Sequence, residues 1–274
     1  MQVVKIDLNN RSAVAETLLI PLYIRAQETR EANPILRDEA AVALVERIDY
    51  DFKRIKLLNV NRVGIVLRTH RIDLWTRDFL AGHPGAAVVH IGCGLDTRFE
   101  RVDDGHVAWY DLDLPEVIAL RRELLPEHPR CNLLASSVFD PAWLEAVSPA
   151  NKPALFIAEG VLPYFEEAQV KALILMLQRH FPGVVLICDA FTPFMVRVDN
   201  LILIRTKFQA RLRWGIRRGR DMERWEPGIK LLDEWFYFDE PEPRMGASQW
   251  MRHFPPFARG VGIFQYRLGN ATGY

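Results

Sequence analysis

The stretch Val88-Val89-His90-Ile91-Gly92-Cys93-Gly94-Leu95-Asp96-Thr97-Arg98 carries the reading of the fold. A short apolar run passes straight into two glycines separated by one residue. Glycine accepts the positive φ of a tight turn and lets another backbone or a ligand approach closely, so the pattern is a buried strand turning at a sheet edge. A dinucleotide fingerprint needs a third glycine or an alanine three residues after Gly94, and that position is Thr97. The chain also lacks the GxxxxGK(S/T) of a phosphate-binding loop. By itself a Gly-x-Gly turn is as compatible with a structural connection as with a ligand loop.

Working outward, apolar runs alternate with helical patterns. Candidate strands are Ala87–Ile91, Val107–Leu112, Cys131–Ala135, Ala154–Ala158 and Val184–Asp189, and the helices between them are Pro115–Leu125, Pro141–Val147 and Glu166–His180. Continuous apolar strands each followed by a helix indicate a parallel sheet covered on both faces. Upstream, residues 12–84 read as helices: one capped by Ser12, one capped by Asp38 with Ala41, Leu44, Val45 and Ile48 at helical spacing, and one from Asn61 to Leu80. Downstream, a helical segment from Thr192 to Arg213 precedes an aromatic, proline-rich stretch, and Val261–Leu268 alternates as a closing strand. The expected organisation is one domain: a helical cap over 1–84, a core over 85–190, and a lid with closing strands over 191–274.

The chain has 274 residues, with 35 Lys and Arg against 35 Asp and Glu. Zero net charge argues against a nucleic-acid partner, which needs a clear cationic footprint. The zero is a cancellation, however: residues 85–190 carry −7 and residues 191–224 carry +6. Cys93, Cys131 and Cys188 are scattered in apolar surroundings, the usage of a reducing compartment, and no Cys/His spacing suggests a metal. Met1-Gln-Val-Val-Lys-Ile-Asp lacks a signal-peptide core, and runs such as Ala172–Leu177 are too short to span a bilayer. A cytoplasmic protein without a membrane partner is expected, and the pattern specifies no oligomeric state.

Two further loops fall on the same sheet edge. Tyr110-Asp111-Leu112-Asp113-Leu114-Pro115 places Asp113 at the end of the second strand, where doubly wound folds bind ribose hydroxyls. Asp113 as a cap of the helix opened by Pro115 is the alternative, and Asp111 points to the other side. Phe156-Ile157-Ala158-Glu159-Gly160-Val161-Leu162-Pro163-Tyr164 brings Glu159 beside the glycine turn, either as a ligand or as a loop carboxylate capping the next helix. Three such loops suit a neutral or cationic nucleoside better than a phosphate-bearing one.

Taken together, Gly92-Cys-Gly-Leu-Asp-Thr-Arg, Tyr110-Asp-Leu-Asp-Leu-Pro and Glu159-Gly-Val-Leu-Pro-Tyr resemble the leucine carboxyl methyltransferase family, in its bacterial branch of polyketide-synthesis O-methyltransferases. Thr17-Leu-Leu-Ile-Pro-Leu-Tyr-Ile-Arg-Ala, Asp49-Tyr-Asp-Phe, Leu67-Arg-Thr and Trp225-Glu-Pro-Gly fit the same branch, so the likeness spans roughly residues 14–268. It implies a Rossmann-like α/β fold: a mostly parallel seven-stranded sheet with its last strand reversed, a helical N-terminal cap and a C-terminal lid insertion. It implies S-adenosylmethionine as methyl donor. Position by position, Arg68 would hold the methionine carboxylate and Glu159 its amino group. Gly92 and Gly94 would let the cofactor approach, Asp113 would take the ribose, and Ser137 and Val138 would flank the adenine. Arg25 would be a further basic contact. Pro163 departs from the branch, which more often has a large apolar residue there.

Methyl transfer to an oxygen anion cancels opposite charges, so a dry site that aligns the atoms supplies much of the acceleration. A carboxylate acceptor needs no base, whereas a phenol or enol does. Tyr164 is the first candidate beside the acceptor, followed by His70, Tyr23 and His90, the last more in keeping with a core histidine. The basic run Arg205–Arg220 reads as a solvated face paired with the acidic stretch Glu226–Glu242, ahead of a lid or a nucleic-acid contact. Phe191, Phe194, Trp214, Trp225, Trp235 and Phe236 form a hypothetical aromatic lid. The expected activity is O-methylation of a small polyketide-like acceptor. Methylation of a protein C-terminal carboxylate and a non-catalytic cofactor-binding module are the rivals.

Overall fold

The computed structural model describes residues 6–7, 13–55, 57–147, 153–203 and 211–270. The apolar runs become β1 (Ala87–Ile91), β2 (Ala108–Asp113), β3 (Cys131–Ala135), β4 (Ala154–Ala158) and β5 (Val184–Phe191), followed by β6 (Ile229–Phe236) and β7 (Val261–Leu268). They form one sheet in the order β3-β2-β1-β4-β5-β7-β6. The first five strands run parallel, and β7 inserts antiparallel between β5 and β6. The chain therefore winds outward from β1 on one side and restarts on the other at β4. That switch point, at the carboxyl ends of β1 and β4, is where such sheets open a crevice.

The helices are α1 (Ala13–Thr29), α2 (Glu39–Arg47), α3 (Asn59–Gly82), α4 (Arg98–Val102), α5 (Pro115–Leu124), α6 (Ala142–Ala146), α7 (Glu167–His180), α8 (Pro193–Leu203) and α9 (Pro255–Ala258). On one face of the sheet Val170, Leu173, Ile174 and Leu177 of α7 bury against Val89, Ile91, Phe156 and Leu186. On the other, Ile72, Trp75, Phe79 and Leu80 of α3 pack on Val88, Trp109, Leu155 and Ile157. Each fully buried side chain of this kind contributes about 1.5–3 kcal/mol. The helical cap is a third cluster, in which Leu19, Leu22, Ala41 and Leu44 of α1 and α2 meet Leu120 and Leu124 of α5. Asp38 caps α2 as its spacing predicts, accepting from the Ala41 amide at 2.9 Å. The proposed cap Ser12 lies outside the described residues.

Two expectations change. The helix expected to reach Arg213 is described over Pro193–Leu203, and residues 211–216 form neither helix nor strand but return to α8. Asn200 fixes that return, donating to the Leu212 carbonyl at 2.8 Å and accepting from the Leu212 amide at 3.0 Å. Gly215 is required there, because a Cβ would stand 2.4 Å from the Phe191 carbonyl oxygen. Strand β6 falls where only an aromatic, proline-rich stretch was read. Its register slips between Leu231 and Asp233, which breaks the two-residue alternation a strand normally displays. Lys230, Asp233 and Glu234 guard this edge of the sheet against further pairing. Among the described residues, no helix is long and apolar enough to cross a membrane.

Candidate active site

A cavity of about 910 Å³ opens at the carboxyl ends of β1, β2 and β4 and is roofed by α1, α3, α8 and the segment after β6. Arg25, Arg68, Gly92, Gly94, Asp113, Ser137, Val138, Glu159 and Tyr164 all line it. The three loops read from the sequence thus converge on one chamber.

The glycine turn forms its edge. Gly92 has φ +63° and Gly94 has φ +50°. A Cβ on Gly92 would meet Val161 at 2.4 Å, so the turn and the β4 loop approach as closely as only glycine allows. Asp113 is bound into this turn, accepting from the Gly94 amide at 2.8 Å and from the Leu114 amide at 2.7 Å. It does not cap α5, whose N-cap is Leu114 without a side-chain bond. Burial pushes the Asp113 carboxyl above its ordinary range, against the pull of those two amides. Asp111, on the opposite side, is structural: it accepts from the Trp109 indole at 2.8 Å and pairs with Arg121.

The floor is a closed set of charges. Arg68 lies one helical turn before Ile72 on the buried face of α3, so it projects under the ends of β4 and β5. Its Nε donates to Glu159 at 2.9 Å and its other arm to Asp189 at 2.8 Å. Glu159 also accepts from the Thr69 hydroxyl at 2.8 Å and from Arg98. Burial alone would raise the Glu159 pKa, but the guanidinium groups of Arg98 and Arg68 override it and hold the carboxyl at about 2. Asp189 receives the Gly160 amide at 2.7 Å, and burial raises its pKa against the opposing charge of Arg68. A guanidinium set beside a permanently ionised carboxylate can receive a zwitterion, each charge taking its opposite.

Arg25 is buried and already engaged, with Nε on Asp38 at 2.8 Å and one arm on the Leu95 carbonyl at 3.0 Å. It buttresses the glycine turn from behind. Ser137 Oγ accepts from the Phe139 amide at 3.3 Å, and Val138 is buried next to it. Tyr164 is 40% exposed, on a 3-10 turn (Leu162–Tyr164) directly after β4. His90 sits in the floor. Burial and the adjacent Arg98 lower its pKa to about 4, so it is neutral near pH 7, and its Nδ1 is buried without a hydrogen-bond partner. His70 and Tyr23 do not line the cavity; Tyr23 stacks on Phe52 at 4.8 Å instead.

The hypothetical aromatic lid is largely core. Trp214, Trp235 and Phe236 are buried, the last two within β6, and Trp225 packs on Trp214 at 6.0 Å. Phe194 stands partly in solvent against Phe257, which leaves Phe191 as the member of the set that lines the cavity. Residues 229–236 belong to β6, not to a lid. Among the described residues, the partners differ from the expected pairing: Arg213 reaches Glu166 at 3.3 Å, while Glu240 takes Arg71 and Glu234 takes Arg259. Arg205, Lys207 and Phe208 lie outside the described residues. Pro163 is buried, and its carbonyl accepts from the Arg213 and Trp214 amides at 2.7 and 3.1 Å, docking the segment 211–216.

Sequence reasoning passed over Asp189, Thr69, Arg98, Tyr237 and Asp199. Asp189 carried a signal, since it falls at the carboxyl end of β5, the same edge as Asp113 and Glu159. The others become neighbours only through tertiary packing.

Residues 19–178 match the leucine carboxyl methyltransferase family. The chain is 38% identical over 231 residues to the tetracenomycin polyketide synthesis O-methyltransferase TcmP of Streptomyces glaucescens, across 84% of this chain and 85% of that protein. It is 29% identical over 289 residues to the S-adenosyl-L-methionine-dependent methyltransferase dpfgK of Gibberella zeae, across 94% of both. Among solved structures, magnesium protoporphyrin IX methyltransferase from Synechocystis, crystallised with SAH bound, shares the fold with a TM-score of 0.51 at 13% identity, over 92% of this chain and 99% of that one. The likeness between these two structures concerns the fold.

Proposed function

The chain belongs to the leucine carboxyl methyltransferase family and is an S-adenosylmethionine-dependent methyltransferase, and from that premise we propose that it methylates an oxygen, a carboxylate or a hydroxyl, of a small, flat, polyketide-like acceptor. The observation that carries the proposal is one cavity of about 910 Å³ whose wall holds both Arg68, Asp113 and Glu159 and the apolar Leu57, Ile65, Phe191, Met195 and Phe257. A single pocket of this size accommodates a nucleoside and a second flat molecule side by side.

The donor set fits the cofactor. Glu159, ionised down to about pH 2, is a partner for the methionine ammonium, and Arg68 is a planar cation for its carboxylate. In this reading Asp113 takes the ribose hydroxyls, Ser137 and Val138 flank the adenine, and Gly92 and Gly94 leave room for the ligand. Arg25 keeps the turn in place through Asp38 and Leu95. Bound S-adenosylmethionine supplies a methyl group on a positively charged sulfur. The apolar wall excludes water from the meeting of that charge with the acceptor oxygen, which raises the reactants relative to the less charged transition state. Tyr164, which lines the same cavity, orients the acceptor through its hydroxyl.

Calorimetry with S-adenosylmethionine and with its demethylated product tests the cofactor site, and a panel of flat aromatic acids and phenols assayed for methyl transfer tests the acceptor. Folded protein that binds neither cofactor form sinks the site assignment. Cofactor binding with transfer to a peptide C-terminus and to no aromatic would sink the acceptor.

A further inference from the structure

Among the polar groups on the cavity wall, Tyr237 stands apart from those assigned to the cofactor. It follows β6 directly and lines the cavity. Strand β6 pairs antiparallel with β7, and β7 antiparallel with β5, so β6 runs with the parallel strands and its end falls on their carboxyl edge. In the order β3-β2-β1-β4-β5-β7-β6 that end is as far as the sheet allows from Asp113 and Ser137, which close β2 and follow β3. Tyr237 therefore stands on the side of Glu159 and Arg68 away from the place given to the nucleoside.

A glycine of α3 makes this position possible. Gly64 is buried inside the helix, where glycine is less favourable than alanine. A Cβ there would stand 2.7 Å from Cε2 and 2.9 Å from Cδ2 of Tyr237, so the ring rests on bare helix backbone. Gly64 lies one helical turn before Arg68, on the same face of α3. Beyond it the wall continues through Asn61 and Val60, with Leu57 and Leu58 before them. Of the charges around the Tyr237 hydroxyl, Arg68 acts most strongly, which sets the phenol oxygen toward that guanidinium. Burial pushes the phenol well above its ordinary range, against the pull of Arg68, so it remains a protonated donor at neutral pH. The hydroxyl makes no hydrogen bond among the described residues. Tyr164, on the turn after β4, also feels Arg68 most strongly of its charged neighbours.

We propose that Tyr237 is an acceptor-binding residue: its hydroxyl donates a hydrogen bond to an anionic oxygen of the methyl acceptor, and Gly64 is bare so that the ring can reach that oxygen. The inference rests on the small-acceptor reading above and names a residue that selects the acceptor. A phenol held neutral fixes the direction of an ionised oxygen without giving up its proton, so a lone pair remains for attack on the methyl carbon.

The test compares the wild type with Tyr237→Phe, which keeps the ring on Gly64 and removes only the hydroxyl. With S-adenosylhomocysteine present at about pH 7, calorimetry should show 2-naphthoate bound about tenfold more weakly by the variant. Naphthalene, which has no oxygen to bond, should bind both proteins equally in equilibrium dialysis. The affinity for S-adenosylhomocysteine and the Tm should not change. Methyl transfer to any aromatic acid or phenol the wild type accepts should lose about tenfold in kcat/KM. Gly64→Ala should weaken 2-naphthoate in the wild-type background but add nothing in Tyr237→Ala, where it should raise the Tm by about 2–4 °C as an ordinary helix substitution. Unchanged naphthoate binding and transfer in Tyr237→Phe overturns the assignment and leaves the small-acceptor reading in place. An equal loss of S-adenosylhomocysteine affinity also overturns it, because the hydroxyl then serves the cofactor. If neither probe binds the wild type and no member of the aromatic panel is methylated, that reading and this inference fall together.

Discussion

Arg98 is central to the charged floor at which we place the cofactor. It is completely buried, and its guanidinium reaches Asp73 at 2.7 Å, Asp96 at 3.3 Å, the His90 ring at 3.2 Å and Glu159. Replacing it by Met leaves Glu159 and Asp73 as carboxylates in the interior with one cation fewer. Breaking a buried pair in this way costs about 3–5 kcal/mol, which corresponds to a fall in Tm of about 10 °C for a chain of this size. The loss has a pH signature. Glu159 has a folded pKa of about 2 against 4.5 unperturbed, so its contribution to stability is fully present above about pH 4.5 and is lost as the pH falls toward 2. Without Arg98 the burial of Glu159 is less opposed, its folded pKa climbs, and the acid limb of the stability curve moves to higher pH. Urea denaturation at about pH 7 and about pH 4 measures both effects, and calorimetry with S-adenosylmethionine measures the weakened ammonium partner. Arg98→Lys keeps the charge but cannot span Asp73 and Glu159 together, so it should fall between the two. Arg98→Met combined with Glu159→Met should regain part of the stability without regaining cofactor affinity, because the orphaned charge has been removed with its partner. An Arg98→Met protein with the wild-type denaturation midpoint and acid limb would refute the argument that this network holds the floor together.

Three other outcomes follow from the same geometry. His90 has a folded pKa of about 4 against 6.5 unperturbed, so about 3 kcal/mol of stability should disappear between pH 6.5 and 4 as the unfolded chain takes up the proton, and His90→Asn should flatten that interval in a denaturation series. Gly92→Ala places an L-residue at φ +63° and a Cβ 2.4 Å from Val161; it should lose more than about 2 kcal/mol, with Val161→Ala restoring the contact part and not the backbone part. Asp113→Ala removes the acceptor of the Gly94 and Leu114 amides at the cavity edge, both of which can turn to solvent, so calorimetry should register a large loss of cofactor affinity with a thermal shift of only a few degrees.

The sequence by itself determined which strand ends meet at the edge of the sheet where we place the cofactor. Strands β1 to β5 are near-continuous apolar runs, and the residues at their ends, Gly92, Gly94, Asp113 and Glu159, lie within a few positions of those runs. A parallel sheet aligns such strand ends on one edge, so local pattern is enough to bring them together. The C-terminal part of the chain was not legible in the same way. Strand β6 hides behind a register slip, and Trp214, Trp235 and Phe236 look like a lid until they are seen filling the core. Arg98 and Arg68 meet on Glu159 from positions 61 and 91 residues away. Contacts of this separation are settled by how helices close over the sheet. A one-dimensional pattern records which residues are apolar, but not which charges meet once the chain has folded.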